Sequence, residues 1–117
     1  MVTFILAEET LEILIYWYYP EGDQTKKHGV IVYNKNTNEI RIVELAEEDW
    51  EYEIPIEDLN NSIEFINQGK IERGETDLLE PATEPIHNIY YGSHAVSEIQ
   101  KYLQKGVFPS KGRQIWY

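Results

Sequence analysis

The chain contains no cysteine, which removes disulfides, thiolate metal sites and cysteine nucleophiles together and leaves no sign of an oxidising compartment. It is also short of bases, with ten Lys and Arg against 21 Asp and Glu and a formal net charge of −11. Affinity for phosphate backbones and anionic membranes comes mainly from Lys and Arg, so direct nucleic-acid or membrane binding is not expected. Long apolar runs are missing too. The stretch from Met1 to Tyr19 has no basic leader and is interrupted by Glu8, Glu9 and Glu12, which fits neither a signal peptide nor a membrane span. A cytoplasmic protein is expected.

Sequence signatures of enzymes and metal sites are equally scarce. There is no Gly-rich phosphate loop, HExxH, GxSxG or DxDxDG pattern, so the chemistry those spacings support lacks its geometry. His28, His87 and His94 share no metal-ligand spacing, and the acid-rich stretch 72–84 lacks the regular alternation of a calcium loop. Ser93 and His94 are adjacent, which points their side chains apart and suits Ser93 as a helix N-cap better than as a nucleophile. The expectation is a protein without catalytic residues, metal or cofactor.

What is present reads as one α+β domain, 1–117, of 13.8 kDa, a size that supports a single core. The first half carries the period-2 patterns of strands. These cover Val2 to Ala7, a polar break at Glu8-Glu9, then Thr10 to Tyr19, Gly29 to Tyr33 and the alternating Glu39 to Leu45. Pro20-Glu21-Gly22-Asp23 is a turn signature. Trp50 to Ile54 suggests a short edge strand with Trp50, Tyr52 and Ile54 on one face.

The second half changes period. Ile56, Leu59, Ile63 and Ile66 predict a helix over about 56–68 stopped by Gly69; Val96, Ile99 and Leu103 predict another over about 94–105, stopped by Gly106. Between them, 70–89 reads as a long solvated connector holding a short strand from Ile86. At the end, Ile115-Trp116-Tyr117 should form an edge strand or dock on the sheet. The fold expected is a mainly antiparallel sheet of about four to six strands, an N-terminal meander, with two helices on one face.

Charge is distributed unevenly. Residues 1–43 carry six acids and four bases, 44–84 fourteen and two, and 85–117 one and four, giving −2, −12 and +3. Crowding of this kind raises the field felt by a cationic partner. Within EEDWEYE, aromatics alternate with carboxylates, and an aromatic ringed by acids can anchor Lys or Arg. The candidate partner-binding residues are therefore Glu47, Glu48, Asp49, Trp50, Glu51, Tyr52, Glu53, Glu57, Asp58, Glu75, Asp77 and Glu80. Nine Tyr and three Trp exceed what so small a core needs; of the run Tyr16-Trp17-Tyr18-Tyr19, two rings must face away from the core unless both sides are covered.

At the level of class, the chain resembles the small, acidic, cysteine-free α+β inhibitors with which bacteria neutralise toxins, the immunity proteins. The likeness rests on size and charge and on no motif. It implies a non-enzymatic inhibitor that masks a basic, nuclease-like toxin domain with the 44–84 surface. A phage- or plasmid-borne nucleic-acid mimic that occupies a host DNA- or RNA-binding protein is the alternative. A small-molecule domain with a cleft near Tyr90, Tyr91 and His94 is a third reading.

Overall fold

The computed structural model describes residues 1–116, and its architecture is α+β: a five-stranded antiparallel sheet, a two-stranded sheet and two helices. Two compact units can be distinguished, one of Met1–Trp50 with the chain from Ile89 onward, the other Glu51–Asn88.

In the first unit, β1 (Val2–Glu9), β2 (Ile13–Pro20), β3 (Gly29–Asn34) and β4 (Ile40–Glu44) form the expected meander; β7 (Lys111–Gln114) joins the free side of β1, giving the order β4-β3-β2-β1-β7. Glu8-Glu9 does not break the first strand. The pairing of β1 with β2 shifts register between Leu6 and Glu8, which makes Ala7 the extra residue of a bulge, and beyond it Glu8 and Glu9 continue the ladder opposite Ile15 and Leu14. The C-terminal strand lies upstream of the apolar tripeptide, because Lys111–Gln114 supplies the register with β1. Trp116 packs against the core, as a docked terminus should, and Tyr117 lies outside the described residues.

One face of this sheet carries Val2, Phe4, Leu14, Tyr16, Tyr18, Ile31 and Tyr33, and α2 (Tyr90–Gln104) covers it with Ala95 and Ile99. The aromatic run divides by parity. Tyr16 and Tyr18 are fully buried, whereas Trp17 is 37% exposed on the other face and stacks on His28 at 4.1 Å. Buried tyrosines need partners for their hydroxyls. Tyr16 donates to the Pro109 carbonyl at 2.8 Å, and Tyr18 donates to Asp49 at 2.7 Å while accepting the Ala46 N–H at 3.1 Å. Burial pushes both phenols well above their ordinary range. Two glycines make room for neighbouring rings. A Cβ on Gly29 would stand 2.0 Å from the Tyr18 ring, and one on Gly112 would stand 2.6 Å from Phe4.

Helix α2 starts at Tyr90, earlier than a Ser93 cap would allow. Its cap residue, Ile89, has no capping side chain; Ser93 Oγ accepts the Ile89 N–H at 3.2 Å from inside the first turn. The N-terminal amides are satisfied from a distance. Asp49 accepts the Tyr91 N–H at 2.8 Å and the Gly92 N–H at 2.9 Å, doing from 42 residues away what an N-cap side chain does locally. Gly106, with φ 75°, ends the helix where expected, and the Val107 N–H reaches back to the Tyr102 carbonyl at 3.0 Å.

The second unit holds β5 (Glu51–Ile54), α1 (Ile56–Glu72) and β6 (Ile86–Ile89), the last running into the boundary. Helix α1 runs past Gly69, and the left-handed stop is Gly74, with φ 78°. Gly69 is tolerated inside the helix because a single interior glycine costs only about 1 kcal/mol. Glu57 and Asp58 occupy the first turn, where the helix dipole favours acids. Part of the expected connector thus belongs to the helix. The rest is exposed but held: Asn67 clasps both main-chain groups of Leu79 at 2.8 and 3.0 Å, and Asn60 does the same to Ala82 at 2.7 and 3.4 Å. Asn60 and Asn67 are seven residues apart, two turns on one helix face, so their amides present a ladder to an extended segment as a neighbouring strand would.

Candidate functional site

The turn after β2 is where the first unit becomes chemically distinctive. Gly22 N–H donates to the Tyr19 carbonyl at 3.0 Å, Asp23 N–H to the Pro20 carbonyl at 3.1 Å, and Glu21 and Gly22 both adopt positive φ, 55° and 71°. A left-handed glutamate is disfavoured by about 1 kcal/mol. It is held there by its N–H, which donates to the Met1 carbonyl at 2.7 Å, and by its carboxylate, which accepts the Tyr91 hydroxyl at 2.8 Å. The turn presents Glu21 and Asp23 to a cavity of about 370 Å3, whose walls also include Lys26, Glu48, Trp50 and Tyr91.

Trp50 is the aromatic wall. Its ring is stacked on Tyr90 at 4.4 Å and meets Tyr91 edge-on at 5.8 Å, so its orientation is set by packing although 48% of the residue is exposed. Its main chain is fixed as well, with the N–H donating to Asp49 at 2.9 Å and the carbonyl accepting the Tyr90 N–H at 3.0 Å. Trp50 therefore stands at the surface in a fixed orientation. Behind it, Tyr90 contacts Trp116, which stacks on His94 at 3.8 Å, and His94 Nδ1 is 2.8 Å from Gln114 Oε1. The rings of Tyr90 and His94 are thus occupied by Trp116, and the opening lies on the side of Tyr91 and Trp50.

Glu21 is held below the usual carboxylate range, first by the Tyr91 hydroxyl and then by the Met1 ammonium 3.4 Å away. Asp23 is lowered by the Thr25 hydroxyl and N–H. Tyr91 moves in the opposite direction, pushed up to about 12 by burial and then by its bond to Glu21. Both carboxylates therefore stay charged in mildly acidic solution. Tyr91→Phe should raise the midpoint of Glu21 towards its ordinary value, because the bond that favours the ionised form is gone. A depressed carboxyl stabilises the fold above its unfolded pKa and loses that contribution as pH falls through the folded value, so the variant should also show a weaker acid dependence of stability. Carbon-detected NMR titration of the Glu21 carboxyl decides this, and an unchanged midpoint would refute the role given to Tyr91.

No known protein family, characterised protein or solved structure matches this chain.

The acidic series read from the sequence falls into both units. Glu47, Glu48, Asp49 and Trp50 belong to the first, and Glu51, Tyr52, Glu53, Glu57, Asp58, Glu75, Asp77 and Glu80 to the second. Asp49 is committed internally to α2 and Tyr18 and is not an open surface charge. Glu47 is exposed but accepts the Lys27 N–H at 3.1 Å, and Glu48 lies 3.8 Å from Lys26. In the second unit, Glu51 and Glu53 flank His87 at 3.9 and 4.0 Å, the Tyr52 hydroxyl accepts from Asn88 at 3.1 Å, and Asp77 pairs with Lys70 at 3.3 Å. Glu75 pairs with Arg73 at 2.8 Å, while Glu57, Asp58 and Glu80 are exposed. Glu21 and Asp23 lie outside that series, and Tyr91 enters only through the cleft reading of Tyr90, Tyr91 and His94. All three lie far from Trp50 in sequence, and for the two carboxylates the signal is the acid-bearing turn Pro20-Glu21-Gly22-Asp23.

Proposed function

We propose that this protein is a non-enzymatic, immunity-type inhibitor that holds a basic, nuclease-like toxin domain by inserting one of its Lys or Arg side chains into the cavity between Trp50 and Tyr91. The observation that carries the reading is that cavity: an exposed, rigidly stacked indole faces the carboxylates of Glu21, Asp23 and Glu48, with only Lys26 of opposite charge on its walls. Exposed ion pairs contribute about 0–1 kcal/mol each and are screened by salt, whereas a cation against Trp gives about 0.5–1 kcal/mol and roughly 2 when water is excluded. Trp50 is therefore assigned the role of anchor. The carboxylates steer approach and select charge, and the long-range field comes from the whole chain at −11. An inhibitor of this kind works by occupancy and acts in the cytoplasm, where it meets its toxin.

The test uses a short arginine-rich peptide as a stand-in for the basic surface. It should bind the full chain at low salt, shift the Trp50 indole resonance, and associate about tenfold more weakly with Glu21→Lys/Glu48→Lys or with Trp50→Ala. Peptide-induced shifts confined to residues 51–88, with Trp50 silent, would sink this site.

A further inference from the structure

Two bases of the chain, Lys111 and Arg113, line a different opening from the Trp50 cavity. Lys111 and Arg113 stand in register with Ile5 and Thr3 of β1, so all four side chains share the sheet face that α2 leaves open. Both bases are exposed, and neither is among the ion pairs of the described residues. Between them and the turn after β2 is a cavity of about 430 Å3, lined by Thr3, Ile5, Gly22, Gln24, Lys111 and Arg113 among others. The turn thus separates two openings of opposite character: Glu21 and Asp23 face the Trp50 cavity, Gly22 and Gln24 this one.

The main chain adds a second feature. Among the described residues strand β7 ends the sheet order and pairs only with β1. Leu6 N–H donates to the Ser110 carbonyl at 2.7 Å. In an antiparallel ladder alternate residues turn their N–H and C=O groups to the same neighbour. Residues 110, 112 and 114 therefore address β1, which leaves the main-chain groups of Lys111 and Arg113 directed to the open edge. The same two residues offer backbone pairing and positive charge at a two-residue repeat.

We propose that the β7 edge is a docking site for an extended acidic segment of a partner protein, which adds as a further strand and places carboxylates at alternate positions against Lys111 and Arg113. Strand addition takes its affinity from main-chain hydrogen bonds and its selectivity from alternate side chains. Charge decides the occupant. A second copy pairing edge to edge would set Lys111 and Arg113 against like charge, whereas an acidic strand neutralises both. The site is independent of the Trp50 cavity and stands whether or not that cavity takes a basic partner.

Three peptides titrated into the isotopically labelled full chain test this: an alternating Glu–Val peptide, an alternating Lys–Val peptide, and the Glu–Val peptide N-methylated at the amides that would face the edge. The Glu–Val peptide should bind saturably, shift the amides from Lys111 to Gln114, and slow amide exchange at Lys111 and Arg113. Neither of the other two should shift the amides from Lys111 to Gln114 or slow their exchange. Lys111→Glu/Arg113→Glu should weaken Glu–Val binding about tenfold and gain binding to Lys–Val, a swap that a merely misfolded variant could not show. The proposal is overturned by equal binding of the N-methylated peptide, by free glutamate reproducing the shifts, by edge pairing of the chain with itself, or by a charge-reversed variant that keeps its original preference.

Discussion

Asp49→Ala is expected to lower the unfolding free energy by about 3 kcal/mol, from the loss of a helix cap together with charge-assisted bonds to a buried hydroxyl. The carboxylate accepts the N–H groups of Trp50, Tyr91 and Gly92 and the Tyr18 hydroxyl, all at 2.7 to 2.9 Å. Alanine leaves two amides at the start of α2 without their acceptor and removes the acceptor of a tyrosine with no exposed surface. Asn keeps the shape but turns an NH2 group towards donors, so Asp49→Asn should fall between the wild type and alanine. Glu48→Ala, an exposed neighbour of the same charge, should stay within about 0.5 kcal/mol. Urea unfolding of the three variants separates structure from charge: similar losses for Asp49→Ala and Glu48→Ala would show that Asp49 acts only as part of the acidic surface.

Gly29→Ala should be as damaging and acts on the same tyrosine. The new Cβ would lie 2.0 Å from Tyr18 Cε1 and 2.2 Å from Cζ, because Gly29 and Tyr18 are register partners and the ring lies across the glycine. A flexible side chain would swing away, but this ring is buried and tethered at its hydroxyl by Asp49 and the Ala46 N–H. Overpacking of a constrained site costs about 1–3 kcal/mol or more; the upper end is expected, lowering Tm by about 10 °C. Since both substitutions act through Tyr18, the Gly29→Ala/Asp49→Ala double variant should lose less than the two single losses added. Strict additivity in calorimetry would refute the common route.

Local pattern was enough to determine the α+β class, the N-terminal strand-rich half, the turn at Pro20–Asp23 and the stop at Gly106, because each depends on periodicity or backbone freedom within a few residues. The parity of Tyr16 to Tyr19 placed Trp17 and Tyr19 opposite Tyr16 and Tyr18, and of that second pair Trp17 is exposed while Tyr19 is buried. Whatever depended on a distant partner could be decided only by the tertiary structure. Helix α2 begins at Tyr90 and not after Ser93 because its cap comes from Asp49, whose sequence neighbours Glu47 and Glu48 make it look like one more surface acid. Trp50 is held at the surface in one orientation because Tyr90 supplies a ring to stack on. The same holds for the carboxylates around it: charge counting pointed to 44–84, yet Glu21 and Asp23 reach Trp50 through a turn some thirty residues away. A window along the chain registers how many acids it contains, but their field depends on separation in space, which chain folding sets.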